Sequence, residues 1–436
     1  MIFINQMEET SIMNLGVHEK TTNTVTHRLI GVVRDLAHEL HGRRASTFDV
    51  TLSSRLDRDL GIDSLGRTEL IVRIERVFRT RLPVSIMGEA DTVGDLLAAL
   101  EQAAAQSGVQ TDFISATEIH TEAAARVAAA AEARTLIDVL EWHVARNPDR
   151  LHVTVLEDER NVLGRMSYID LVKAAKTVAA GLIAQDVVPG DRVALMLPTG
   201  TEFFTAFFGI LYAGAVPVPI YPPMQLSQLE DYLRRQAKIL RNAEPKVLIT
   251  VTAALRLGAL LRGLVPSLSA MKSVGDLQPP SGRLSLPQLK DSNATALIQF
   301  TSGSTGDPKG VVLSHANVLA NIRAILKAID ATSADVLFSW LPLYHDMGLI
   351  GAWLGPLYAG AMCYIMSPLS FLAHPQSWLW ACHRCQATIS AAPNFAFELC
   401  LKQIDDGDLA GLDLSSLRCC RHQPAGRSST VLTAIH

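Results

Sequence analysis

Four places in the 436-residue sequence gather side chains that could do chemistry. The first is the run Thr301-Ser302-Gly303-Ser304-Thr305-Gly306-Asp307-Pro308-Lys309-Gly310. Its glycines permit backbone angles that aim successive N–H groups at one anion. The hydroxyls of Thr301, Ser302, Ser304 and Thr305 add donors, and Lys309 adds a cation suited to phosphate. No Gly-Lys-Ser/Thr opens a helix, so this is not the P-loop pattern. By composition alone, a serine- and glycine-rich hairpin loop with no ligand fits equally well. The second place is Ser64, preceded by Asp63 in "DLGIDSLGRTEL". A hydroxyl at a helix start can cap the helix or present a phosphodiester to its free N–H groups. The third is Tyr344-His345-Asp346, where a His-Asp pair serves either structure or a polar site. The fourth is Cys382-His383-Arg384-Cys385, a single CxxC. Zinc needs a second pair or two suitably spaced histidines, so buried or surface thiols on a helix are expected, with no metal.

The elements that must position these groups fall into two patterns. In residues 25–103, Leu29, Val32, Val33, Leu36 and Leu40 recur at helical spacing, as do Leu70, Ile71, Ile74, Val77 and Phe78, then Val93, Leu96, Leu97 and Leu100. Three long helices and a short one around Pro83–Met87 predict a small bundle, with Ser64 where the second begins. Residues 104–133 are Ala-rich and mostly polar, and read as a partly helical linker. From Thr135, helices alternate with short apolar strands such as "DRVALMLP", "PKVLITV", "TALIQF", "AMCYIM" and "ATISAAP". That alternation predicts an α/β fold with mixed, largely parallel sheets. The loop lies between the strands "ALIQF" and "VVLS", and Ser314 is placed to cap a helix from His315.

Bulk properties narrow the class. The chain is 48% hydrophobic and 19% charged with net charge −4 and no basic tract, which disfavours disorder and nucleic acid as a partner. Residues 1–24 carry neither a basic leader nor a long apolar core and read as a disordered lead-in. The six cysteines all follow residue 360, unlike a secreted disulfide framework, and a reducing cytoplasm fits. The uncharged runs 203–229 and 347–373 are long enough to span a membrane, but glycines and prolines divide each into a buried helix, a stop and a short strand, so no membrane span is expected.

On these residues the chain resembles two families. "LGIDSL…EL" within residues 25–103 resembles the acyl or peptidyl carrier proteins, in which the serine of Asp-Ser-Leu carries 4′-phosphopantetheine added by a phosphopantetheinyl transferase. Ser64 matches that serine. The domain holds 11 Arg and no Lys against 12 Asp and Glu, and so is less acidic than many carriers. "TSGSTGDPKGVVLSH" resembles the signature loop of the adenylate-forming enzymes, which implies that Thr301 to Gly306 and Lys309 grip ATP phosphates. "PVPIYPP", "SWLPLYHDMGLIGAWLGPLYAG", "MSPLSFLAHPQSWLW" and "APNFAFELC" follow in order and make the resemblance that of the fatty-acyl-AMP ligases over residues 134–418. It implies activation of a fatty acid as acyl-adenylate and transfer to a carrier thiol. The acceptors would be carriers or polyketide or peptide synthase partners. It also implies a catalytic-site place for His345 and Asp346, an acyl-pocket place for Asn394 and Phe395, and Mg²⁺ whose carboxylate ligand this chain lacks. A ligase forming acyl-CoA or an aminoacyl-adenylate stays open, as does a non-enzymatic carrier or scaffold in which only Ser64 works. The resemblance ends at Leu412–Arg418. Residues 419–436 read as an aberrant tail, so the ligase domain is expected to be incomplete, poorly active by itself and prone to aggregate. The linker of residues 104–133 would span about 45 Å as a helix or about 30 Å as a coil, enough to load Ser64 within one chain.

Overall fold

The computed structural model describes residues 25–39, 49–62, 64–78, 80, 82–83, 86, 90–106, 127–222, 229–279, 285–288, 290–302 and 308–423. The lead-in 1–24, Asp63, residues 303–307 of the phosphate loop, most of the linker and residues 424–436 lie outside these. The chain divides into two units, Met1–Gln110 and Thr111–His436.

The first unit contains α1 (25–39), α2 (Ser64–Phe78) and α3 (Val93–Gln106). Leu29, Val33 and Leu36 of α1, Leu70, Ile71 and Ile74 of α2, and Val93, Leu96 and Leu100 of α3 form one core with Val50, Leu56, Leu60 and Ile62. These are the positions that helical periodicity picks out. Of the short helix expected around Pro83–Met87, the described part is Ile86, whose N–H donates to the Pro83 carbonyl. Arg67, in the first turn of α2, is buried, and its Nη1 donates to the Ala90 carbonyl. This pins α2 to the segment that leads into α3.

The second unit is α/β. α4 (Leu136–Arg146) leads to β1 (Leu151–Leu156), β2 (Val162–Ser167), α5 (Tyr168–Ile183), β3 (Arg192–Met196), α6 (Thr201–Tyr212) and β4 (Val216–Pro219). Next come α7 (Leu229–Ala243), β5 (Val247–Thr250), α8 (Gly258–Leu264), β6 (Ala270–Lys272), and the hairpin β7 (Thr295–Ser302) and β8 (Pro308–Ser314). α9 (His315–Ala328), β9 (Val336–Ser339), a π-helix (Met347–Leu354), α10 (Gly355–Ala359) and β10 (Met362–Met366) follow. The described part ends with α11 (Pro368–Ala373), α12 (Gln376–Arg384), β11 (Ile389–Pro393), α13 (Asn394–Gln403) and β12 (Cys419–Gln423).

Six strands form a sheet in the order β12-β11-β9-β10-β1-β2, all parallel except β1–β2. Four more form an all-parallel sheet, β4-β3-β5-β6. The third sheet is the antiparallel β7–β8 pair. One core holds α5, α6 and inward residues of both larger sheets. α6 is apolar all round and buried, and Phe203, Phe204, Phe207 and Phe208 surround Trp353 at centroid distances of 4.7–6.2 Å. The two long uncharged runs are therefore interior helix-stop-strand units. The stops are Gly214 (φ 72°) after α6 and Gly360 (φ 75°) after α10. No helix among the described residues is long and apolar enough to cross a membrane.

Two boundaries differ from the sequence expectation. Residues 127–133, read as linker, belong to the second unit. The Val127 N–H donates to Ser333 Oγ, Arg323 donates to the carbonyls of Ala131 and Ala133, and Ala130 is fully buried. Alanine-rich composition conceals this, because main-chain groups make the attachment. The sheet also continues past Arg418, since Cys419–Gln423 pairs in parallel with Ile389–Pro393. Arg418 leads the chain into that strand by a bidentate pair with the buried Asp335 (2.8 and 2.7 Å) and by donating to the carbonyls of Ile329 and Asp330.

Candidate functional site

The hairpin places the ends of the phosphate loop. Register pairs Thr301 with Lys309 and Ser302 with Pro308, so the hydroxyl-bearing and ammonium-bearing residues stand opposite each other where the loop begins and ends. Both Thr301 and Lys309 are exposed. Gly303, Ser304, Thr305 and Gly306 lie outside the described residues, and of Ser302 only the strand position is described. Strand alternation sends Gln299, Thr301, Val311 and Leu313 toward one cavity, while Ile298 and Phe300 pack on the core beneath α7. α9 starts directly after β8. Ser314 Oγ accepts the Asn317 N–H (3.2 Å) and Asn317 Oδ1 accepts the Ser314 N–H (3.1 Å), a reciprocal cap. The adjoining His315 is fully buried and its Nδ1 accepts the Leu136 N–H at 3.1 Å, fixing α9 to the start of α4. Burial lowers the His315 pKa to about 4, so it serves as a neutral acceptor.

The turn Tyr344-His345-Asp346 approaches the hairpin from the other side. Gln299, 5% exposed, donates from Nε2 to the Tyr344 carbonyl at 3.3 Å. The Tyr344 ring meets Tyr221 edge-on at 4.7 Å, and burial raises the pKa of both phenols. Tyr221 belongs to the "PVPIYPP" motif, so that motif and the turn are in contact. Asp346 caps the π-helix by accepting the Met347 N–H at 2.8 Å.

Between hairpin, α9, π-helix and the β9-β11-β12 edge lies a cavity of about 940 Å³, within the range of small-molecule sites. Along α9 its wall is Val318 and a stripe at i, i+4 spacing, Asn317, Asn321 and Ile325, continued by Ile329 at the C-cap, which is one face of a helix. Polarity falls along the stripe, so the carboxamides lie toward the hairpin end of the helix and the isoleucines away from it. Leu337, Phe338, Ile350 and Cys419 add apolar wall, while Thr301 and Asp346 add polar groups. This arrangement can hold an amphipathic molecule with its polar end toward the phosphate loop.

The expected residues separate accordingly. Thr301 and Asp346 line the cavity; His345 is exposed beside Tyr344 and is not in its wall. Asn394 and Phe395 do not line it either. Asn394 opens α13, and Phe395 is 51% exposed with its ring edge-on to Trp340 at 6.2 Å. Phe397, the other aromatic of that motif, is core, against Trp378. Cys382 within α12 and Cys385 at its C-cap are buried core thiols. Among the described residues no cluster of His, Cys, Asp or Glu could hold a metal, and the Asp346 carboxylate is engaged as a cap. In the first unit, Ser64 is the first residue of α2, whose first turn carries no acidic side chain. A phosphodiester there would meet free helix N–H groups, so this position fits a phosphopantetheine.

Sequence reasoning missed Gln299 as a tie, the α9 stripe and Cys419. The stripe was available as i, i+4 spacing after the loop. Cys419 was not, because it lies beyond the last resembling motif.

Comparison with known proteins agrees with this geometry. Residues 140–430 match the family "AMP-binding enzyme", and residues 32–100 match "Phosphopantetheine attachment site". The chain belongs to the AMP-binding enzyme family and carries a phosphopantetheine-attachment domain before it. It is 35% identical over 290 residues to the medium-chain-fatty-acid–[acyl-carrier-protein] ligase JamA of Moorena producens, covering 66% of this chain and 49% of that protein. It is 35% identical over 295 residues to the long-chain-fatty-acid–AMP ligase FadD26 of Mycobacterium marinum, covering 65% and 50%. Its fold is similar to that of the fatty acid AMP ligase from Legionella pneumophila, with TM-score 0.60, 34% identity, and coverage of 70% of this chain and 52% of that one. The chain thus spans about half the length of the curated relatives it matches.

Proposed function

We propose that the chain takes part in ATP-dependent activation of a fatty acid as an acyl-adenylate and in transfer of the acyl group to a phosphopantetheine thiol. The observation that carries this reading is the position of the cavity. An apolar space of about 940 Å³ has Gln299 and Thr301 of β7 in its wall, and that strand runs directly into the phosphate loop. A fatty chain gains about 0.8 kcal/mol per buried methylene, and its carboxylate then lies under the phosphates of ATP. A carboxylate oxygen attacks the α-phosphorus, the bond to pyrophosphate breaks, and the acyl-adenylate forms. Lys309 and the loop hydroxyls hold the phosphate charge. The thiol of the prosthetic arm then attacks the acyl carbon and AMP leaves. Ser64 carries that arm, attached by a phosphopantetheinyl transferase, and relatives named for acyl-carrier-protein acceptors support a carrier as the recipient. A cytoplasmic setting fits the free thiols.

Displacement of a fluorescent fatty acid from the full chain by unlabelled fatty acids tests the activation half. Saturable displacement is expected; none would overturn it. Intact mass after incubation with coenzyme A and a phosphopantetheinyl transferase tests the carrier half. One phosphopantetheine is expected, lost in Ser64→Ala, and an unmodified wild-type chain would refute it.

A further inference from the structure

The cavity wall contributed by the π-helix has an unusual composition. Met347, Ile350, Gly351 and Ala352 all line the cavity, and π-helical segments are rare and concentrated at functional sites. Two glycines lie in this segment, and packing treats them differently. A Cβ on Gly348 would stand 2.2 Å from the Pro342 carbonyl oxygen, so only glycine fits there. A Cβ on Gly351 meets no atom within 4 Å. Gly351 is also not among the residues with positive φ. Neither backbone conformation nor neighbouring atoms require a glycine at 351, although glycine inside a helix is less stable than alanine. What glycine does at this position is keep the cavity wide: Gly351 is half-buried, facing open space, while Ile350 and Ala352 on either side are buried.

We propose that Gly351 sets the length of acyl chain that the cavity admits. The inference rests on the reading that the cavity takes the fatty acid. Relatives at the same 35% identity are named for medium-chain and for long-chain acids, so overall similarity does not fix chain length. A wall residue with free space in front of its Cα does. A side chain at 351 occupies volume that the alkyl chain would otherwise fill. The chain terminus is displaced, and long acids lose contacts that short acids never made.

The test measures displacement of a fluorescent fatty acid from the full chain by a ladder of saturated acids from octanoate to octadecanoate. Gly351→Leu is expected to weaken the longest acids by about tenfold or more, equivalent to roughly two buried methylenes, and to leave the shortest unchanged. Gly351→Ala, which meets no steric obstacle, is expected to shift the same acids by about fourfold, roughly one methylene. It carries the test if Gly351→Leu does not fold, as judged by circular dichroism. A ladder unchanged in both variants, or weakened equally at every length, overturns the assignment of Gly351. Failure of the unmodified chain to bind any acid overturns instead the proposed function on which it rests.

Discussion

Gln299 Nε2 donates to the main-chain carbonyl of Tyr344 at 3.3 Å, joining the hairpin that bears the phosphate loop to the turn that opens the π-helix. The two segments are 45 residues apart and share no sheet. Gln299 is almost fully buried, so Gln299→Leu keeps the volume but leaves the Tyr344 carbonyl without this donor. An unsatisfied buried acceptor costs about 1–3 kcal/mol, and the long bond here places the loss near the lower end. A fall of about 1 kcal/mol in urea unfolding free energy is expected, with fatty-acid affinity reduced because both segments wall the cavity. Unchanged stability and unchanged affinity together would show that the tie is incidental.

Three buried histidines predict how stability varies with pH. Burial is the main cause in each, lowering the pKa of His143 to about 4, of His152 to about 3 and of His315 to about 4. His143 and His152 each stack on the Tyr168 ring, at centroid distances of 4.7 and 5.2 Å, and Trp353 Nε1 donates to His152 Nε2. The unfolded chain binds protons on these residues near pH 6.5, and the folded chain does not until far lower. Stability is therefore full above pH 6.5 and falls as pH drops from 6.5 toward 4. A shift of one unit corresponds to 1.36 kcal/mol, so each histidine contributes a loss of about 3 kcal/mol by pH 4. Urea midpoints at pH 7.5, 6 and 5 check this. Replacing His143 by Gln should flatten the slope by about one proton between pH 6 and 5, and an unaltered slope would count against it.

These features show how much was legible in advance. Strands such as Arg192–Met196, the reciprocal cap at Ser314 and the helix-stop-strand units followed from local pattern, because local hydrogen bonding and side-chain period decide them. Leu29, Ile74 and Leu96 were legible as core for the same reason. The His143–Tyr168–His152 stack was not, since it joins α4, β1 and α5 through side chains with no sequence spacing in common. The cavity wall mixes the two cases. Ile325 and Ile329 follow a helical period, whereas Cys419 enters through the pairing of β12 with β11, which depends on long-range register. Asn394 and Phe395 were assigned by motif alone, and neither lines the cavity.

Arg418 and Asp335 hold the last strand in place, and their separation predicts a selective defect. Burial alone would raise the Asp335 pKa. Hydrogen bonds from Arg418, the Thr332 N–H and Thr388 outweigh it, and the carboxyl lies below the usual range. Arg418→Met removes both charge-assisted bonds (2.8 and 2.7 Å) and leaves a carboxylate with 7% side-chain exposure short of its cation. Because Arg418 itself is 40% exposed, solvent offsets part of the loss, and about 1–3 kcal/mol is expected. The damage should be greatest at β12, which begins at the next residue. Hydrogen exchange checks this: amides of 419–423 should lose protection while those of β1 and β10 keep theirs. Uniform loss across the sheet would instead mean that the pair supports the whole unit.

On the proposed function, Lys309 should separate phosphate binding from acyl binding. It stands opposite Thr301 at the end of the loop and is exposed, so its ammonium supports no core contact. Lys309→Met keeps the stem and removes the charge. A charge-assisted hydrogen bond contributes about 1.5–3 kcal/mol, so ATP affinity, measured by calorimetry on the full chain, should fall about 10- to 100-fold. Fatty-acid displacement should be unchanged, because Lys309 is absent from the cavity wall, which takes Gln299, Thr301, Val311 and Leu313 from this hairpin. Thermal stability should also hold. Parallel loss of both ligands would mean that the hairpin is one folding unit whose strands depend on Lys309. Retained ATP affinity would remove Lys309 from the phosphate site and leave the loop backbone to hold the anion.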